Sequence, residues 1–220
     1  MRLRHSVAPV LVGWYLMIPL TLVVPPDLSQ AASANPKLSK YTNDALGISL
    51  RYSTKEYGVL KGKEIPKEWV NREPIETKFA QPGGVMIAAL VPAGGLGNDG
   101  PDELLILSIN SKVTAAECDK FSSDDEWTAH RKERVGAMEF AQADGGEGGM
   151  CKDIFLKNYH IFRNQACYEI EMGVFASPCF QDKDNDVFGS IKSEFRDLKA
   201  ILATLAIRPT TVDPIRHETN

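Results

Sequence analysis

The stretch from Cys151 to Cys179, CKDIFLKNYHIFRNQACYEIEMGVFASPC, constrains the fold more than any other part of the chain. Two runs rich in β-branched and aromatic residues flank the polar break Arg163-Asn164-Gln165, which is how a β-hairpin reads. With Asn164-Gln165 as a two-residue loop, Asn tolerating a positive φ, the register follows. Tyr168 then faces Ile161, Ile170 faces Tyr159 and Val174 faces Phe155 on an inward apolar face. Glu169 falls opposite His160 on the other face, expected to be a cross-strand pair exposed to solvent. The two ends, Cys151 and Cys179, are brought close together.

The N-terminus bears on compartment. Arg2, Arg4 and His5 precede an uncharged run over 7–24, Pro25-Pro26 break it, and Ala31, Ala32, Ser33 and Ala34 follow. A basic cap, an apolar run and a small-residue site make a secretory signal peptide, with cleavage expected after Ala34 or Ala32. An uncleaved membrane anchor is the alternative, because the run is just long enough to span. The organisation expected is therefore a signal peptide over 1–34 and one exported domain with flexible ends over 35–220, in the periplasm or outside the cell. Without 1–34 the chain loses Arg2, Arg4 and Asp27, leaving 23 basic and 28 acidic residues, a net charge of −5. An acidic domain argues against nucleic acid and against adsorption to anionic lipid, since both favour a basic surface.

Cys118, Cys151, Cys167 and Cys179 all follow the signal, an even count for an oxidising compartment. Their spacings match no paired zinc knuckle and no CxxC is present, so neither zinc nor thioredoxin-type chemistry is expected. The hairpin register favours Cys151–Cys179, which leaves Cys118–Cys167; buried free thiols are the alternative.

Along the chain, 35–40 reads as a flexible lead-in, and 47–52 and 57–60 as strands. Residues 61–84 are polar and contain Pro66, Pro74 and Pro82; they read as a long surface connection with one helical turn near 67–71. Val85–Val91 and Leu104–Ile109 are strands flanking a glycine-rich loop over 92–102. Thr114-Ala115-Ala116-Glu117 is a capping box, predicting a helix that carries Cys118 and Phe121. Val135–Ala143 reads as one strand and Gly145–Gly149 as a second glycine-rich loop. Neither loop ends in the Gly-Lys-Ser/Thr of a phosphate-binding loop. Phe188, Ile191, Phe195, Leu198 and Leu202 recur at spacings of 3 and 4, an amphipathic helix from 188 to about 203; Pro209 stops regular structure, and 210–220 reads as a loose tail. Strands joined by connections too short for crossover helices make a mainly antiparallel sheet. The fold class is α+β, with that sheet packed against a long C-terminal helix and a shorter helix.

Three segments carry a family resemblance. LGISLRYSTKEYGV resembles the opening of the Mog1/PsbP-like family, and FGSIKSEFRDLKAILATLAI is similar to its final helix and short last strand. YHIFRNQACYEIEMGV resembles the hairpin of small exported bacterial proteins without an assigned activity. The likeness extends over about 41–207 and departs where the family has Pro-x-x-Trp, here Ser53-Thr54-Lys55-Glu56-Tyr57. It implies an accessory subunit or binding module more than an enzyme.

Chemistry is sparse. His130 and His160 are the histidines left in the domain once His5 and the tail residue His217 are set aside. No Gly-x-Ser-x-Gly elbow or HExxH supports a hydrolase. Cys118 as a nucleophile would need a low pKa, and a disulfide silences it. Asp182, Asp184 and Asp186 alternate, yet Val187 stands where a calcium loop needs glycine and Ser193 where it needs glutamate. Trp69, Trp127 and the 92–102 loop are candidates to line a groove, with packing as the alternative. No catalytic residue, metal site or cofactor is therefore expected. The chain reads as an exported, non-catalytic binding or accessory module of the cell envelope. The alternatives are a small extracytoplasmic hydrolase using His160 or His130, and a structural envelope protein anchored by its N-terminus. The expected partner is a protein or small-molecule ligand and no nucleic acid, with membrane contact only through an uncleaved N-terminal segment.

Overall fold

A computed structural model describes residues 38–67, 75–94, 103–121, 128–149, 152–176 and 187–210, without the side chains of 128–130, 147, 149, 152, 187 and 188. The chain divides into two units, Met1–Asn35 and Pro36–Asn220, and all of the described residues belong to the second. Its strands are β1 (Leu38–Asn43), β2 (Ile48–Ser53), β3 (Tyr57–Lys61), β4 (Val85–Pro92), β5 (Glu103–Asn110), β6 (Thr128–Val135), β7 (Met138–Gly149), β8 (Lys152–Arg163), β9 (Ala166–Ala176) and β10 (Ala206–Ile207). The α-helices are α1 (Ala115–Cys118) and α2 (Val187–Leu202). One sheet has the order β3-β4-β5-β9-β8-β7-β6 and a smaller one the order β1-β2-β10, and all of their pairings are antiparallel. The architecture is α+β.

The β8–β9 hairpin has the register that its turn dictates. Asn164 and Gln165 both take positive φ, 49° and 59°, the two left-handed positions of a type I′ turn. Ile161 then pairs with Tyr168, Tyr159 with Ile170, Phe155 with Val174 and His160 with Glu169. Tyr159, Ile161, Tyr168, Ile170 and Val174 are buried in one core with Leu105 and Leu107 of β5, Ile48 and Leu50 of β2, and Ile191, Leu198 and Leu202 of α2. The amphipathic period of α2 thus faces both sheets, and β10 returns along β2 at the helix end.

Several elements differ from the sequence expectation, each for a local reason. Leu38–Asn43 is not a lead-in: it pairs along its whole length with β2, burying Tyr41. The strand expected over 135–143 is broken by a hairpin turn in which Gly136 has φ +58°; a Cβ there would lie 2.5 Å from the Ala203 carbonyl oxygen. Gly145–Gly149 is strand and not loop, and its pairing with β8 runs to Gly149↔Lys152. Glycine is needed in that ladder because a Cβ on Gly146 would meet the Ile154 carbonyl oxygen at 2.5 Å. The capping box at Thr114 forms, but α1 ends at Cys118, and Phe121 makes a lone bridge to Phe79 instead of continuing the helix. The described parts of the 61–84 connection are no surface excursion, since Ile65, Ile75 and Phe79 are buried, while 68–71 of the turn expected near 67–71 lies outside the described residues. Within it, the Ile75 N–H donates to the Lys67 carbonyl at 3.1 Å.

Candidate functional site

The face of the large sheet turned away from α2 carries an unusual amount of polarity. Successive strand residues alternate between faces, so His160 and Asn158 of β8 share this face with Glu169 and Glu171 of β9 and Ser108 of β5. All five are at most 3 % exposed. The expectation of a solvated His160–Glu169 pair is therefore wrong about its surroundings. The pair forms in the expected register, but Phe79 and the 113–121 corner cover it.

His160 is held from every side. Its Nε2 lies 2.8 Å from Glu169 Oε2, and its Nδ1 lies 2.9 Å from the Cys118 carbonyl oxygen. Glu169 Oε2 also accepts from the Lys78 backbone N–H at 2.7 Å. The imidazole stacks with Phe121, ring centroids 4.1 Å apart, and with Phe79, at 5.2 Å. A carbonyl oxygen can only accept, so Nδ1 bears a hydrogen. Nε2 and Oε2 are within hydrogen-bond distance, so a hydrogen lies between them, since two lone pairs do not face each other at 2.8 Å.

The cover is tied down covalently. Cys118 and Cys167 form a disulfide with their Cα atoms 5.4 Å apart, linking the end of α1 to the start of β9. Cys167 is two residues from Glu169, so one short strand segment holds both the disulfide and the carboxylate. Both cysteines are at most 1 % exposed and pack with Phe79 and Val113. Cys151 and Cys179 lie outside the described residues, as do Trp69, Trp127, His217, most of the 92–102 loop and the Asp182–Asp186 run. His130 lies in β6, and its side chain is not described.

This arrangement does not place His160 for catalysis. A general base needs a free ring nitrogen within reach of the proton it removes. Both nitrogens of His160 are already engaged. Ser108 pairs with Glu169 on the side of β9 away from β8, so the strand order is serine–carboxylate–imidazole. A nucleophilic triad needs the imidazole in the middle. Among the described residues, no group of three or more His, Cys, Asp or Glu is positioned to hold a metal, and no helix is long and apolar enough to cross a membrane. Sequence reasoning found His160, Glu169 and both cysteines. It missed Phe79, Phe121, the Lys78 N–H and the Cys118 carbonyl. The available signal was two lone aromatics within otherwise polar segments.

A second polar cluster lies where β3 and β5 meet α2. The Tyr57 hydroxyl donates to Glu103 Oε1. Burial pushes the Glu103 carboxyl above its ordinary range; the Tyr57 hydrogen bond opposes this, and the charges of Glu194, Asp197 and Glu56 add to it. A third cluster spans β6, β7 and β8. Asp144 accepts from Lys157 at 2.9 Å, Gln142 at 2.9 Å and Arg131 at 3.1 Å. Burial raises its pKa, but the hydrogen bond and charge of Lys157, the Gln142 amide and Arg131 together hold it below the usual carboxylate range.

No known family profile and no curated protein matches the chain. Among solved structures, one from Bacteroides thetaiotaomicron VPI-5482 aligns with a TM-score of 0.42 and 11 % identity over 77 % of this chain and 48 % of its own. This chain therefore spans about half the length of that protein. LpqN, described as involved in cell envelope biogenesis of Mycobacterium tuberculosis, aligns with a TM-score of 0.36 and 12 % identity over 60 % of this chain and 83 % of its own. Similarity this loose assigns no role to the chain.

Proposed function

We propose that the chain is an exported, non-catalytic binding or accessory module of the cell envelope, built on the Mog1/PsbP-like plan. The observation that carries this reading is the buried Cys118–Cys167 disulfide fastening its corner over the His160–Glu169 pair. A disulfide in the core of a domain with a full hydrophobic core belongs to an oxidising compartment, in agreement with the signal-like segment over 1–34. Among the described residues, the groups best suited to chemistry are used up in holding the fold: Cys118 and Cys167 are joined, and both ring nitrogens of His160 are engaged. Function then lies in surfaces, with a protein or a small molecule as the partner. The acidity of the domain disfavours nucleic acid, and membrane contact is confined to the N-terminal segment if it is retained. The test is fractionation and cross-linked co-purification from the native host. The chain should appear in the envelope fraction with its N-terminus at Asn35 or within two residues of it, together with a stoichiometric partner or ligand. Cytoplasmic recovery with Met1 intact, or hydrolytic turnover abolished by His160→Asn in a variant that still folds, would overturn the reading.

A further inference from the structure

The small sheet carries a feature that neither the core nor the His160 cluster uses. Lys40 and Thr42 of β1 share its outer face with Arg51 and Ser49 of β2, because Lys40 pairs with Arg51 and Thr42 with Ser49. Beyond β10 the chain runs on through Arg208, and a cleft of about 270 Å³ opens between that segment and the β1–β2 hairpin. Lys40, Thr42, Asp44, Ser49, Arg208 and Thr210 are among the residues that line it. Ser49 is only 8 % exposed and forms part of the floor, whereas Lys40, Arg51 and Arg208 are exposed.

The wall is held in place by the backbone. The Arg208 N–H donates to the Gly47 carbonyl at 2.9 Å, and Asn164 Nδ2 donates to the Arg208 carbonyl at 2.7 Å. Gly47 has φ +67°, and a Cβ there would come within 2.4 Å of the Arg208 carbonyl oxygen, so the close approach of the two segments depends on glycine. The Asn164 contact ties this wall to the turn of the central hairpin. Arg208 is thus presented from a pinned backbone and not from a loose tail.

Charge makes the cleft specific. In a chain with a net charge of −4, Lys40 and Arg208 line the cleft and Arg51 lies opposite Lys40 on the same face, and among the described residues none of the three forms an ion pair. A guanidinium and an ammonium flanking hydroxyl donors are a recurrent way to hold an oxyanion, since charge-assisted hydrogen bonds are about twice as strong as neutral ones. Asp44 stands in the same cleft as the one carboxylate. It disfavours a bare polyanion and suits a ligand that carries a hydroxyl or ammonium next to its anionic end. The volume is at the small end for ligand sites.

We infer that this cleft binds a small hydroxylated or zwitterionic anion, with its phosphate or carboxylate between Lys40 and Arg208 and its donor group on Asp44. The inference deepens the binding-module reading by naming a ligand class, and it can fail while that reading stands, because co-purification of a partner tests the reading separately. The experiment is a titration of the isotopically labelled full chain, followed by amide chemical shifts at low ionic strength. Inorganic phosphate is used in one arm, serine in a second and sodium chloride of matched ionic strength in a third. The expected result is saturable shifts confined to 40–49 and 206–210 with phosphate, with serine or with both; which of them saturates distinguishes a phosphate from a carboxylate ligand. Arg208→Gln and Lys40→Gln should each weaken phosphate binding by about tenfold. Asp44→Asn should tighten it, an opposite sign that damage to the fold would not produce. Shifts no different from those in chloride, or affinities unchanged in all three variants, would overturn the assignment.

Discussion

Nε2 of His160 and Oε2 of Glu169 lie 2.8 Å apart across the β8–β9 ladder, and neither side chain is more than 2 % exposed. The pair is isolated from water on all sides, so its parts are far more costly to remove singly than together. Glu169→Leu leaves a buried imidazole without its partner, and His160→Leu leaves a buried carboxylate accepting a single backbone N–H. Each should destabilise the domain by about 3 to 5 kcal/mol, the range for breaking one side of a buried pair. The double variant should lose less than the sum, because no buried charge is left without its partner, although the Lys78 N–H and the Cys118 carbonyl each lose the side chain they bonded. Urea unfolding of the four proteins measures this; additive losses would mean that the two groups do not act as a unit.

The Cys118–Cys167 bond spans 49 residues of sequence. Closing a loop of that length restricts the unfolded chain by about 4 kcal/mol in the chain-entropy treatment. The variant with both cysteines changed to alanine should lose stability of that order while keeping the β8–β9 register, which the turn sets independently. Non-reducing peptide mapping provides the direct check: Cys118 should be recovered joined to Cys167. A peptide joining Cys151 to either of them would contradict the pairing.

How far the site was legible depends on how local each determinant is. The register of His160 against Glu169 was readable because it needs only a two-residue turn and a period of two, all within 152–176. Burial of that face was not readable, because its covers come from Phe79 and Phe121, about 80 and 40 residues upstream of His160 in polar surroundings. Gly145–Gly149 was misread for a related reason. Glycine is expected in loops, and nothing local shows that an opposing backbone at Ile154 excludes a side chain. The lead-in over 38–40 became strand because β2 offered a free edge, a partner visible only in the folded sheet.

Glu103 should make the domain less stable at neutral pH than in mild acid. Burial, with Glu194, Asp197 and Glu56 nearby, raises its folded pKa above the ordinary value of 4.5, so the folded state holds its proton where the unfolded chain has lost it. In that window stability falls as pH rises. Glu103→Gln keeps an acceptor for the Tyr57 hydroxyl and removes the charge. It should raise stability at pH 7 by up to about 1 kcal/mol and flatten the fall from mild acid to neutral pH. Urea midpoints across that range test it, and an unchanged slope in the variant would show that the slope arises elsewhere.

Asp144 should behave with the opposite sign. Lys157, Gln142 and Arg131 outweigh the effect of burial and hold its folded pKa below the ordinary 3.8. Its contribution is then fully present above the unfolded value and is lost as pH falls through the folded one. Asp144→Asn should destabilise by up to about 1 kcal/mol at pH 7, as expected for ion pairs that remain partly exposed, and by progressively less as pH falls through the folded value. The loss should also reach α2, because Lys157 lies over the Phe195 ring at 5.2 Å from its centroid and is oriented by the same carboxylate. Amide exchange in α2 should accelerate in Asp144→Asn at neutral pH and match the parent in acid. Exchange that is equally fast at both pH values would point to a packing defect and not to the charge of Asp144.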